Sequence, residues 1–204
     1  MRYPKDHGQQ TRTRIVENAS YGLRQNGVDG LSVADLMKLA GLTHGGFYAH
    51  FKSRDALVVE ALALAMDRTV VHWLDLTQGL PAEKGFDAVV EAYLSPRHRN
   101  NPARGCALPA LAADIGRSGP EARRTFAGRL VKMIDILAGL IPKRSPSDAR
   151  QAAAGAMATM VGSIVLARVA GDKRLSDALL EAGRQAVRNQ TGSTAAEASS
   201  AVRI

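Results

Sequence analysis

Apolar positions recur along most of this chain at spacings of three and four, broken at short intervals by Gly, Pro and Asn. That pattern predicts helices joined by turns, with no alternating run that would suggest a strand. Ile15, Ala19 and Leu23 give one apolar face to a first helix over Thr11–Gln25, which stops at Asn26-Gly27, where both residues tolerate left-handed backbone. Ser32, with Asp35 three residues on, is a capping-box pair; it opens a second helix that buries Val33, Leu36, Met37 and Ala40 and ends at Gly41. Thr43 caps a third, very short helix to His50. Ser53 caps a fourth, which runs to Thr77 with Leu57, Ala61, Leu64 and Ala65 on one face.

Beyond Pro81 the pattern stays helical. Ala82–Leu94 reads as one helix, the Ser95–Gly105 stretch SPRHRNNPARG as a loop, and Arg104–Ile115 as a shorter helix perturbed by Pro109. Pro120 opens a long helix in which Phe126, Leu130, Ile134, Leu137 and Ile141 are spaced by four and three. Asp148–Ala170 is apolar almost all round and rich in Ala and Gly, Lys173–Asn189 is amphipathic, and 191–204 reads as a small, polar, disordered tail.

The composition fits this reading. Apolar residues make up 46% of the chain, aromatics only 4%, and Ala, Leu and Gly supply most of the apolar mass, a mix suited to packed helices. The net charge of +8 points to a polyanionic partner. Its distribution weakens that inference, because residues 1–60 hold eight Lys and Arg against six Asp and Glu, and the remainder 19 against 13. One cysteine excludes a disulfide framework within the chain and a multi-cysteine metal site. The start MRYPKDHGQQ lacks the apolar core of a signal peptide, and the most apolar stretch, Met157–Ala170, contains Arg168 and falls short of the about 20 residues that span a bilayer. The expectation is a cytoplasmic protein with no membrane partner.

Residues 32–51 have the layout of two helices joined by a tight turn. In such a module the first helix braces across the DNA backbone while the second enters the major groove. Val33, Leu36 and Met37 pack the bracing helix inward, Gly41 takes the positive φ of the turn, Leu42 plugs it, and Phe47 and Phe51 hold the second helix to the core. Thr43, His44, Gly45, Tyr48 and His50 are left facing outward. Gly45 and Gly46 are poor helix formers, which allows close approach of backbone to DNA or, equally, a purely structural role. Tyr48 also reads as a half-buried supporting ring, and His50 as a solvated cap.

The run Gly41-Leu42-Thr43-His44-Gly45-Gly46-Phe47-Tyr48-Ala49-His50-Phe51-Lys52-Ser53-Arg54-Asp55-Ala56-Leu57 resembles the DNA-binding signature of the TetR family of regulators, as do Leu31–Leu36 and the helix from Arg14 onward. Arg54 stands where that family usually has Lys. The resemblance covers residues 12–60, and the rest of the chain shares only a helical character and a suitable size. It implies an all-α fold, with a three-helix helix-turn-helix domain over 1–53 and a helical ligand-binding and dimerisation domain over 54–190. It implies that Thr43, His44, Gly45 and Tyr48 lie against base edges or nearby phosphates of a double-stranded operator. His50 and Lys52 would contact phosphates, Ser32 would offer a phosphate its hydroxyl and the helix N-terminus, and Arg54 would do the same from the fourth helix. Arg12 or Arg14 would reach DNA from a flexible N-terminal arm.

Such regulators read two half-sites as dimers, and 148–170 with 173–189 is the seam expected here, with Ala152, Ala153, Ala154, Gly155, Ala156, Ala158 and Gly162 permitting close approach. The same helices also read as ordinary core. The resemblance further implies a repressor released by a small-molecule inducer held among the middle helices. Candidate lining residues are Met66, Val70, Trp73, Tyr93, Cys106, Leu111, Phe126, Met133 and Met160, each also readable as plain core. Cys106, two residues after Arg104, is either a reactive thiol or a small buried residue. Enzymatic chemistry is not indicated. The five histidines form no metal-spaced pair, and there is no phosphate-binding glycine loop or nucleophile elbow, so neither cofactor nor metal is expected.

Overall fold

A computed structural model describes residues 5–141 and 145–192. Every regular element among them is helical. Helix α1 (Lys5–Asn26) begins well before Thr11, over a polar stretch that carries no apolar face to announce it. Arg12 and Arg14 are therefore part of a helix and not of an arm. Asn26 is followed by Gly27 at φ 81°, and α2 (Val33–Leu39) is followed by Gly41 at φ 69°, both positions predicted to turn through the left-handed region. A 3₁₀ helix (His44–Ala49) and α3 (Arg54–Thr77) complete the N-terminal run. Ser53 caps α3 as expected, its hydroxyl accepting from the Ala56 amide at 3.1 Å.

Next come α4 (Ala82–Tyr93), α5 (Pro96–Asn100) and a second 3₁₀ turn (Pro102–Arg104). The stretch expected to be a loop thus holds two single turns of helix. Ser95 caps the first, its Oγ accepting from the His98 amide at 3.1 Å. The carbonyls of His98 and Arg99 are taken by Arg168, each at 3.1 Å. Helix α6 (Leu108–Arg117) starts later than Arg104 and places Pro109 in its first turn, where the missing N–H is no loss, so the proline does not perturb it. Helices α7 (Pro120–Gly139), α8 (Pro146–Val169) and α9 (Lys173–Thr191) follow. Of the tail predicted over 191–204, Thr191 ends α9 and Gly192 closes it at φ 70°, while 193–204 lie outside the described residues.

The chain forms two compact units, one comprising residues up to His72 with Asn101–Val131, the other Trp73–Asn100 with residues from Lys132 on. The first is built around Ile15, Ala19, Leu23, Leu36, Met37, Phe47 and Leu57, none more than 1% exposed. The helix-turn-helix segment therefore shares a unit with α6 and the first part of α7. Gly22 lets α2 come close to α1, since a Cβ there would lie 2.6 Å from a Leu39 methyl.

The second unit centres on α8 and α9. Ser145 caps α8 and Asp172 caps α9, its carboxylate accepting from the Leu175 amide at 3.0 Å. The helices meet where α9 has Gly183: a Cβ there would sit 2.3 Å from the Ser163 hydroxyl. Ser176 adds a buried hydrogen bond, donating to the Ala167 carbonyl at 2.6 Å. By length and composition alone α8 could cross a bilayer, being longer than the apolar run within it because Ala and Gly extend its first half. In this fold Ala153, Ala156, Met160 and Ile164 are fully buried, whereas Val165, Leu166 and Val169 are exposed.

Candidate nucleic-acid interface

The interface is assembled on a rigid aromatic base. Phe47 is fully buried and Phe51 nearly so, their rings stacked with centroids 5.7 Å apart. Tyr48 meets Phe47 edge-on at 5.1 Å and is nonetheless 69% exposed, which disposes of the half-buried reading of its ring. Thr43 is at the cap position of the 3₁₀ helix but makes no side-chain cap bond. Thr43, His44, Gly45 and Lys52 are exposed, and His50 is half-buried. Gly45 has no heavy atom within 4 Å of where a Cβ would stand, so packing does not require glycine there. A Cβ at Gly46 would stand 3.6 Å from the Met37 methyl, so this glycine faces inward.

Three of the residues expected to touch DNA are engaged inside the module. Ser32 donates its hydroxyl to Asp35 Oδ2 at 2.6 Å, and its oxygen accepts from the Asp35 amide at 3.2 Å. The Ser32 amide also donates to that carboxylate, at 2.9 Å. The two Ser32 bonds hold the Asp35 carboxyl below the usual carboxylate range. Arg54 turns back on the α1–α2 turn, donating to the carbonyls of Val28 and Leu31. Arg12 pairs with Glu60 and lies over the Phe51 ring, 4.7 Å from its centroid. Arg14 is exposed on α1.

Asp114 of α6 went unnoticed in the sequence. Its Oδ2 accepts from the Val28 amide at 2.9 Å, fastening the α1–α2 turn from a residue far along the chain. No local pattern signals such a partner. The nine candidate pocket residues are all buried, with Met66, Val70, Cys106, Leu111 and Phe126 in the first unit and Trp73, Tyr93, Met133 and Met160 in the second. Among them the rings of Trp73 and Tyr93 meet edge-on at 6.0 Å.

A capped bracing helix, a glycine turn and a short second helix with a buried aromatic back and a polar front define a helix-turn-helix protein. Residues 15–61 match the family model described as bacterial regulatory proteins, tetR family. The HTH-type transcriptional regulator TtgR of Pseudomonas putida is 36% identical over 72 residues, 35% of this chain but only 34% of that protein's length. An uncharacterized HTH-type transcriptional regulator of Mycobacterium tuberculosis, MT0206, is 25% identical over 169 residues, covering 79% of this chain and 86% of that one. Among solved structures, a TetR transcriptional regulator from Chloroflexus aurantiacus superposes with a TM-score of 0.76 at 22% identity, over 90% of this chain and 95% of that one. Residues 15–61 of the chain thus carry the sequence pattern of that family, and the chain shares the fold of solved TetR regulators. That family and these relatives are regulators, not enzymes.

Proposed function

We propose that the protein is a cytoplasmic, ligand-responsive repressor that binds a palindromic operator as a dimer and is released by a small-molecule inducer. The observation that carries the DNA-reading part is the exposed front of the 3₁₀ helix, where Thr43, His44, Gly45 and Tyr48 project from a base formed by buried Phe47 and Phe51. In this reading those four residues meet base edges and adjacent phosphates, and His50 and Lys52 meet phosphates. Lys52 supplies free positive charge there, forming no ion pair among the described residues. Ser32 and Arg54 act as braces, the first presenting the capped end of α2 and the second holding the α1–α2 turn. Residues 1–53 carry the reading function and 54–190 the response.

Dimerisation through α8 and α9 is supported by the apolar side chains that the chain leaves uncovered there: Val165, Leu166, Val169 and Leu175 are between 39% and 73% exposed. Gly162 on α8 has open space where a Cβ would be, suiting close approach of a second copy. That an inducer is held among the middle helices rests on the family resemblance alone.

The test is fluorescence anisotropy with DNA flanking the gene, at several salt concentrations. Wild-type protein is expected to bind with sequence preference and steep salt dependence. Tyr48→Ala and Lys52→Ala should each weaken binding about tenfold at unchanged melting temperature. Wild-type affinity in both variants would overturn the assignment of this face.

A further inference from the structure

Arg24 of α1 is the buried charge that DNA reading leaves without a role. It is 5% exposed. Its Nε donates to the Ser20 carbonyl at 3.0 Å and its Nη1 to the Gly105 carbonyl at 2.7 Å. Among the described residues its Nη2 has no hydrogen-bond partner, and neither has the hydroxyl of Ser20, one helical turn earlier and 1% exposed. Burial lowers the pKa of Arg24 to about 10, opposed chiefly by Tyr21 and Cys106.

The surroundings bring further positive charge close to it. The guanidinium carbons of Arg24, Arg104 and Arg68 lie 5.3, 5.6 and 5.7 Å from the Tyr21 ring centroid. Arg68 is matched by Glu17 and donates to the Tyr21 hydroxyl at 3.0 Å. Arg104 is exposed and forms no ion pair among the described residues. Three guanidiniums thus gather around one ring, with Glu17 pairing one of them, in a cluster running from the surface at Arg104 down to Arg24. A buried donor without an acceptor is rare in native proteins, and a bound ion is one of the few arrangements that explain it.

We propose that Arg24, Ser20 and Arg104 form a binding site for a small oxyanion, either the carboxylate of an organic effector or a free inorganic oxyanion. Nη2 of Arg24 and the Ser20 hydroxyl donate to its oxygens, and Arg104 supplies charge at the mouth. The site joins α1 to the turn before Cys106, because the same guanidinium holds the Gly105 carbonyl. It stands independently of the DNA-reading assignment.

The experiment titrates the full chain with benzoate, sulfate and phosphate against chloride at matched ionic strength, by thermal shift and calorimetry. At least one oxyanion should bind saturably and raise the melting temperature beyond chloride. Response to benzoate alone identifies an organic carboxylate, and response to sulfate or phosphate an inorganic source. Ser20→Ala and Arg104→Gln should each weaken binding about tenfold, and Arg24→Gln should abolish it. Should Arg24→Gln fail to fold, the other two variants, which keep the buried charge, decide the matter. No oxyanion effect beyond chloride, or wild-type affinity in both Ser20→Ala and Arg104→Gln, would overturn the proposal. So would thiolate absorbance from Cys106 at neutral pH without added anion, since Arg24 would then already have its counter-charge.

Discussion

The 3₁₀ helix at 44–49 and helix α8 both place glycine at positions where a side chain would meet nothing, yet they present opposite surfaces. Around Gly45 the exposed groups are Thr43, His44 and one large ring, Tyr48. Near Gly162 they are Val165, Leu166 and Val169, a cluster with no polar group between the first two. A short polar face on a rigid aromatic base suits a hydrated, charged partner. A long apolar face suits a second apolar surface, since its burial contributes about 25 cal/mol per Å². Open space at a glycine therefore carries no meaning alone; the side chains around it determine what can come close.

The strongest way to break this contrast is to remove the base. Phe47→Ala deletes a fully buried ring stacked on Phe51. It should cost about 3–5 kcal/mol in chemical denaturation and eliminate operator binding, while the region around α8 keeps its behaviour in solution. Gly183→Val probes the other side, because a Cβ there overlaps the Ser163 hydroxyl. Overpacking should cost about 1–3 kcal/mol, read from the denaturation midpoint, with weaker association as its by-product.

Leu166→Asp leaves the fold intact and acts on the exposed face alone. Sedimentation equilibrium should show a shift toward monomer with little change in melting temperature, and an unchanged mass distribution would separate this face from dimerisation. The smallest effect concerns acid. The Asp177 carboxyl is held below its usual range by hydrogen bonds from Lys173 and Arg99. Its folded pKa lies below its unfolded one, so the stabilisation is present above the ordinary carboxylate range and fades as pH falls through the folded value. In acid titrations followed by circular dichroism, Asp177→Asn should flatten that decline slightly.

The contrast also bears on what could be read from the residues in advance. Turns and caps were legible because they are local: Ser32 with Asp35, Gly41 at its positive φ and Ser53 all sit where their own neighbours demand them. The inward ring of Phe47 and the outward ring of Tyr48 followed from helical spacing. What stayed hidden depends on partners distant in the chain. Arg168 reaching the carbonyls of His98 and Arg99 orders a stretch that looks like loop, and Asp114 anchors the Val28 amide. Arg54 and Arg12 looked available for phosphate, but their positive charge is directed to carbonyls, Glu60 and the Phe51 ring. A charged residue in a binding motif announces its charge; where that charge points is set by the fold.

The single tryptophan has a practical consequence. Trp73 is 2% exposed, belongs to the second unit and has Tyr93 against its indole. Its emission should be blue-shifted in the native protein and should report the loss of packing around α3 and α4. With excitation on the red edge of the indole band, where phenylalanine and tyrosine do not absorb, the helix-turn-helix segment is silent. Far-ultraviolet circular dichroism sees both. Coincident curves from the two probes would mean that the units unfold together, and an offset would give the order in which they let go.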